Sequence, residues 1–104
     1  MNPTTDFEFD WDDDKAAANL QKHGVEFLEA MTVLSDPLAM TTYDAEHSDD
    51  EDRWISVGRS ISGALLVVIH TFSSSGPTSA LVRLISARPA AKRELQQYEQ
   101  GTSD

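Results

Sequence analysis

Residues 81–98, LVRLISARPAAKRELQQY, carry the pattern from which the fold of this chain is predicted. The first half is rich in bulky apolar side chains, which favours a β-strand. Pro89 fixes its own backbone φ angle and favours the first turn of a helix. Beyond it, Ala91, Leu95 and Tyr98 recur at i, i+4 and i+7, so the helix has one apolar stripe. The stretch therefore predicts a strand that leads directly into an amphipathic helix.

The same stretch holds half of the basic residues of an acidic chain. Four of the eight Lys and Arg residues lie in it, namely Arg83, Arg88, Lys92 and Arg93. The whole chain has 18 acidic residues and a formal net charge of −10. Net negative charge opposes loose attraction to nucleic acid but permits a local basic cleft, so this corner favours an anion or an acidic partner. We predict that the functional site lies there.

Length and composition limit the class of protein. A chain of 104 residues, 39% hydrophobic and 25% charged, predicts one soluble globular domain over residues 1–104, with disordered ends at 1–5 and 101–104. The sequence has neither a long apolar run nor a signal peptide, so we expect a cytoplasmic protein with no membrane partner. The absence of cysteine excludes disulfides and thiolate metal sites.

Acidic residues are concentrated in two segments, 6–14 and 44–52, which hold six each of the 18. A solvated surface is the ordinary interpretation of such runs, and we predict an exposed acidic loop at 44–52. That loop lacks the spacing and the glycine of a calcium loop, and the chain has no glycine-rich phosphate loop or dinucleotide fingerprint. We therefore predict no metal site and no cofactor.

Periodicity and turn residues divide the rest of the chain. Asp12 predicts a helix cap and Gly24 a left-handed stop, so a helix is expected between them. Short turns between the later strands predict antiparallel pairing, and the fold class predicted is α+β, a mainly antiparallel sheet with helices packed on it. The elements expected are a strand at 7–11, helices at 13–23 and 25–34, strands at 38–43, 53–59, 64–72 and from 81, a turn at 73–78, and the C-terminal helix.

Side-chain periodicity sorts residues of the first helix and of the last strand into faces. The helix has two neighbouring stripes, one more apolar and one polar, and the polar stripe is either solvated surface or an anion contact. On the strand, alternation places Arg83 and Arg88 on opposite faces, and Arg83 is either paired with a carboxylate or in contact with phosphate. The helix stripes are Ala16, Leu20 and His23, and Lys15, Asn19 and Lys22.

Arg59, His70 and Arg88 lie at or near the ends of predicted strands, where side chains reach solvent. For the two arginines, a phosphate contact and a structural role both remain open. His70, beside valines, is either a core histidine with a satisfied ring or an acid–base group, because the pKa of histidine lies near neutrality. His23, just before Gly24, is either a partner of the helix dipole or a catalytic group.

The order and spacing of five segments resemble the BrnT toxins of bacterial type II toxin–antitoxin systems. The segments are FDWDDDKAAANLQKHGVEFLEA, SDPLA, RWISVGRS, LLVVIHT and VRLISARPAAKRELQQYE, and the resemblance covers roughly residues 7–99. The resemblance implies a RelE-like ribonuclease fold and metal-independent RNA cleavage that slows translation and growth. It also implies a small BrnA-like antitoxin with a ribbon-helix-helix part, through which alone the complex would contact DNA.

The family positions carry over to basic residues and histidines of the matched segments. We predict catalytic roles for Arg59, His70, Arg88 and His23. We predict RNA contacts for Lys15, Lys22, Arg83, Lys92 and Arg93. Two alternatives remain open: a catalytically weak relative that forms a repressor complex with a DNA-binding antitoxin, and a non-enzymatic module whose basic corner binds an acidic protein.

Overall fold

The computed structural model describes residues 6–101, which form three helices, two short 3₁₀ turns and six strands. The predicted disorder of residues 1–5 and 102–104 lies outside the described residues. The elements are β1 Asp6–Asp10, α1 Asp13–His23, α2 Phe27–Ala30, a 3₁₀ turn Met31–Ser35, β2 Met40–Tyr43, a 3₁₀ turn Ala45–His47, β3 Trp54–Arg59, β4 Leu65–His70, β5 Ser73–Gly76, β6 Ser79–Pro89 and α3 Lys92–Gln100.

The strands form one sheet in the order β1-β6-β4-β3-β2, with β5 also paired to β6. β1 runs parallel to β6, and the other pairings are antiparallel. The predicted α+β class is confirmed. The turn expected at 73–78 is wrong in its first half, because Ser73 and Ser74 pair with Leu81 and Ala80.

The core lies on the face of the sheet that α1 and α2 cover. Its central residues are almost completely inaccessible to solvent, and Phe7, Phe9 and Trp11 pack at its margin. Burial of this apolar surface is the main favourable contribution to folding. The core residues are Val25, Phe27, Ala30, Val33, Leu66, Val68, Val82, Leu84 and Ala87.

The ends of α1 are as predicted. The Asp12 carboxylate accepts hydrogen bonds from the backbone N–H groups of Asp14 and Lys15 at 2.8 and 3.2 Å, and Gly24 ends the helix at φ 72°. Both features are local, because a side-chain cap needs only neighbouring amides and a positive φ favours glycine.

The buried face of α1 differs from the expected one. Asn19 is 6% exposed, whereas Leu20 is 44% exposed. The Asn19 amide donates to the carbonyls of Ala87 and Val25 at 2.9 and 3.0 Å, and its oxygen accepts from the Ala87 N–H at 3.0 Å. The carboxamide thus satisfies both backbone groups of Ala87, as a neighbouring strand would. Because a buried polar group needs such partners, this contact fixes α1 against β6.

A bulge in β6 changes which of its side chains share a face. Ile69 pairs with Ser86 and His70 with Leu84, so Ile85 is an extra residue in the ladder. An extra residue reverses the alternation beyond it. Arg83 and Arg88 therefore lie on the same face of the sheet, the one opposite α1 and α2, and the prediction of opposite faces is wrong.

Pro89 ends β6 and does not begin α3, so the predicted start of the last helix is wrong. The next residue, Ala90, still donates its N–H to the Leu65 carbonyl at 2.9 Å, which continues the contact with the sheet. The missing N–H of proline is tolerated at the end of a strand. The helix begins at Lys92 instead.

Candidate functional site

Arg88 is held by a carboxylate of α3. Its two terminal nitrogens donate to the two oxygens of Glu94 at 2.9 and 2.6 Å. Glu94 also accepts from the Ala91 N–H at 2.7 Å, so it caps the helix that carries it. The hydrogen bonds with Arg88 lower the pKa of Glu94 and raise the pKa of Arg88. This two-point geometry is the one in which arginine also binds phosphate.

Arg59, at the end of β3, lies against the other end of α3. Its guanidinium carbon is 5.6 Å from the centroid of the Tyr98 ring, a cation–π distance. The Tyr98 hydroxyl donates to Asp36 at 2.7 Å, and the same carboxylate oxygen accepts from the Arg59 N–H at 2.8 Å. One guanidinium nitrogen of Arg59 donates to the Gly63 carbonyl at 3.0 Å.

Hydrogen bonds determine the protonation states around Arg59. Burial raises the pKa of Asp36, but hydrogen bonds from the backbones of Arg59 and Leu38 and from Tyr98 outweigh burial, so the net change is a lowered pKa. The bond to Asp36 raises the pKa of Tyr98. At neutral pH the carboxylate is therefore charged and the phenol keeps its proton.

We call Asp36, Arg59, Arg88, Glu94 and Tyr98 the α3 site. Glu94 and Tyr98 are four residues apart and share one face of α3, so they meet the two arginines of the sheet together. Pairing of Val57 with Val67, and of Val67 with Arg88, places both arginines on the sheet face opposite α1 and α2. An open cleft of about 390 Å³ borders the site beside Arg59.

His70 lies in the interior and not at a surface. Its residue exposure is 0%, and its ring nitrogens contact the Ser56 hydroxyl at 2.8 Å and the Thr71 carbonyl at 2.9 Å. Burial lowers the pKa of His70, which favours the neutral ring. With both nitrogens occupied and no solvent contact, His70 has the environment of a structural histidine, and the structure gives no support to its predicted catalytic role.

The remaining predicted residues lie outside the α3 site or at its edge. Lys92 and Arg93 are exposed in the first turn of α3, next to Glu94. Lys22 is exposed and His23 half-buried in the last turn of α1. Arg83 binds Glu51 at 2.6 Å in a separate cluster near Lys15. The basic corner predicted from residues 83–98 is therefore two separate clusters.

The acidic loop at 44–52 is exposed at most of its positions, as predicted, but two of its carboxylates pack against the protein. Asp44 is 8% exposed, and its carboxylate contacts the His47 ring at 3.0 Å. Its backbone carbonyl accepts from the Ser48 hydroxyl. Glu51 is half-buried against Arg83. Within residues 6–101, no group of three or more His, Asp or Glu side chains is placed to hold a metal ion.

Sequence reasoning missed three members of the α3 site. Asp36 lies in the segment SDPLA but had no predicted role, and Tyr98 was predicted only as part of an apolar stripe. Glu94 occupies the third position of α3, where a glutamate commonly accepts from the residue before the helix, and this signal could have identified it. Its second role, binding Arg88, depends on the strand–helix corner and has no signature in the sequence.

Three comparisons with known proteins bear on the family. The sequence model described as "Ribonuclease toxin, BrnT, of type II toxin-antitoxin system" matches residues 11–94, most of the chain. No curated protein matches. The crystal structure of the Brucella abortus ribonuclease toxin BrnT is similar to this fold, with a TM-score of 0.53, 24% identity, and coverage of 85% of this chain and 100% of that chain.

At this identity the structural match shows the fold alone, whereas the sequence model spans the α3 site as far as Glu94. A type II system pairs each toxin with an antitoxin, so the family implies such a partner. No helix among residues 6–101 is long and apolar enough to cross a membrane. The chain belongs to the BrnT family of ribonuclease toxins of type II toxin–antitoxin systems.

Proposed function

We propose that this chain is a metal-independent endoribonuclease that slows translation and growth in the cytoplasm, and that the α3 site cleaves the RNA. Family membership supports the class of activity. The observation that carries the placement is the position of Arg59 and Arg88 on one sheet face beside α3. The Arg88 side chain is 42% exposed and already binds a two-oxygen anion.

The chemistry requires three tasks. The 2′-hydroxyl of the RNA attacks the adjacent phosphorus, a base takes its proton, and the 5′-oxygen leaves with a proton from an acid. The pentavalent phosphate that forms carries extra negative charge, which fixed cationic donors stabilise. Arg59 and Arg88 fit this task because their guanidinium donors lie at the surface of the sheet.

Candidates for proton transfer are also present in the α3 site. Glu94 is ionised and becomes a free carboxylate when phosphate replaces it on Arg88, so it can accept the 2′-hydroxyl proton. Tyr98 keeps its proton at neutral pH and can donate it toward an oxygen of the substrate. The bond to Asp36 raises the pKa of Tyr98, so the phenol is a weak acid and slow chemistry is expected.

A cognate antitoxin of the ribbon-helix-helix class would neutralise the toxin by covering this site. A segment that contacts Arg59 and Arg88 should carry carboxylates, while the DNA-binding part of the same partner should be basic. Hydrogen exchange with and without the partner tests this: protection should centre on residues 83–98. Protection centred on residues 44–52 would contradict the arrangement.

Induced expression in bacteria, with and without the adjacent antitoxin gene, tests the proposed function. Expression of the chain alone should slow growth, co-expression should restore it, and purified protein should degrade RNA in the presence of EDTA. Normal growth together with intact RNA at high protein concentration would contradict the ribonuclease proposal.

Two observations favour a second candidate, a weakly active relative that mainly forms a DNA-binding complex with its antitoxin. His70 is buried, and the guanidinium of Arg88 is occupied by a carboxylate in the free protein. For this candidate, the toxin would tighten binding of the antitoxin to its operator while RNA stays intact. Operator binding measured beside RNA cleavage separates the two.

A further inference from the structure

A cavity of about 110 Å³ lies between the start of α1 and the residues before β3. Its lining includes Lys15, Arg53 and Arg83, three of the eight basic residues of the chain, which come from three separate parts of the sequence. Asp12 and Glu51 also line it. The volume is that of about four water molecules, enough for one phosphate group.

Glu51 bridges the two arginines of this cavity. One carboxylate oxygen lies 2.6 Å from Arg83 and the other 3.8 Å from Arg53. Asp12, the second carboxylate, is already engaged by the first amides of α1. Glu51 is thus the acidic group that faces the arginines, and it occupies the position that two oxygens of a phosphate would take.

Arg53 supplies a donor that the protein does not use. Its Nε–H is buried and has no hydrogen-bond partner among residues 6–101. Buried donors without a partner are rare in folded proteins and call for an explanation. An anion that replaced Glu51 between Arg53 and Arg83 would bring oxygens to this side of the guanidinium.

The two arginines of the cavity lie on the same sheet face as the α3 site, whereas the start of α1 and Leu84 border the cavity from the opposite face. Arg53 precedes β3 and alternates in phase with Arg59, and the bulge at Ile85 brings Arg83 to the face of Arg88. Six residues separate Arg53 from Arg59, about 20 Å along an extended strand. All four arginines of the chain other than Arg93 therefore form two pairs on one face.

We infer that Lys15, Arg53 and Arg83 form a second phosphate-binding subsite for RNA, distant from the α3 site and filled by Glu51 in the free protein. The inference rests on the proposed function for the identity of the ligand. RNA is favoured over an acidic protein because its backbone carries the same phosphate group at every nucleotide. Two arginine pairs about 20 Å apart on one face can therefore bind two phosphates of one RNA strand. Arg53 is assigned here to binding and takes no part in cleavage.

Inorganic phosphate is the first probe. In the free protein, the NMR signal of the Arg53 Nε–H should shift as phosphate is added. Glu51→Gln should tighten binding by about fivefold, because it removes an internal competitor worth up to about one exposed ion pair. Asp50→Asn is the matched control: it removes the same charge from the same loop at an exposed residue, and it should change the affinity less.

A titration in which the Arg53 signal stays unmoved in both the wild type and Glu51→Gln would overturn the subsite. Equal effects of Glu51→Gln and Asp50→Asn on the phosphate affinity would also overturn it, because the affinity would then depend only on the net charge of the protein. Circular dichroism of each variant verifies that the fold is retained.

The second probe is RNA itself, bound in EDTA by protein that carries Arg88→Ala to suppress cleavage. Adding Arg83→Gln, a change at a half-exposed side chain, should weaken binding and lower the slope of log affinity against log salt by about one. A dinucleotide too short to reach the cavity should show no such loss. An equal loss for the dinucleotide would contradict a distant subsite.

Two further outcomes identify the ligand and separate this inference from the proposed function. If polyglutamate of equal charge competes for the cavity as strongly as RNA does, the surface binds acidic protein and the RNA assignment is wrong. If the wild type does not cleave RNA but the phosphate shift and the salt-slope change are seen, the subsite stands and only the proposed activity fails.

Discussion

His70 and Arg88 lie on neighbouring strands, β4 and β6, and both were candidates for catalysis, yet their surroundings differ in every respect that matters to chemistry. His70 is inaccessible, neutral and bonded through both nitrogens. Arg88 is 42% exposed, and its guanidinium donates hydrogen bonds to the Glu94 carboxylate and to the Pro89 carbonyl. A position near a strand end therefore says little about exposure until the neighbouring elements are known. β3 and β6 flank His70 within the sheet, whereas Arg88 contacts Glu94 of α3 at the surface.

The largest expected effect concerns the arginines. Arg59→Ala and Arg88→Ala should each reduce RNA cleavage by about 100-fold or more, the scale of losing one charge-stabilising donor. Both variants should keep their fold, because both side chains lie outside the core. Initial cleavage rates beside circular dichroism test this. A variant that unfolds, or one that cleaves normally, removes that residue from the proposed site.

The complementary change is His70→Ala, which should affect stability. Loss of the buried ring and its two hydrogen bonds should lower the free energy of unfolding by about 2–4 kcal/mol. His47→Ala is the matched control, because this histidine also contacts a partner but its side chain is 66% exposed, and it should cost less than about 1 kcal/mol. Urea unfolding measures both. If folded His70→Ala protein has lost cleavage while the stability is unchanged, the structural assignment is wrong.

The smallest expected effect is a difference in pH dependence between the two regions. The pKa of His70 is lowered by burial, so its contribution is complete above about pH 6.5 and declines as the pH falls below that value. The pKa of Glu94 is lowered by Arg88, so docking of α3 should persist to about pH 4 and weaken only as the carboxylate takes up its proton. Hydrogen exchange of β4 and α3 between pH 7 and about 4 distinguishes these windows. Release of α3 near pH 6 would contradict the role of Glu94.

The features that could be predicted from sequence are those set by neighbouring residues. Asp12 and Gly24 fix the ends of α1 through local amides and a positive φ, and both predictions hold. The α+β class follows in the same way from periodicity and turns. What could not be predicted depends on contacts between distant segments: the bulge at Ile85 shifts register only because β4 pairs across it, and Asn19 is buried only because Ala87 offers two backbone groups.

The candidate site shows the same division. Its arginines were predicted from their positions near strand ends and within the segments that resemble the family, whereas Asp36 and Tyr98 are brought together across 62 positions of sequence. The place of Asp36 and Tyr98 in the α3 site therefore follows only from the folded structure. For a related reason, the sequence did not single out Arg53. The burial of its Nε–H is a property of the folded chain alone.

The central claim is that the α3 site cleaves RNA through the 2′-hydroxyl. The most direct measurement maps a cleavage position in EDTA and then compares that RNA with the same strand carrying one 2′-deoxy nucleotide just before the cut. The account predicts that the wild type leaves a 2′,3′-cyclic phosphate and a 5′-hydroxyl, and that the 2′-deoxy substitution abolishes cleavage at that position. Cleavage of the 2′-deoxy strand, or products with a 5′-phosphate, would contradict it.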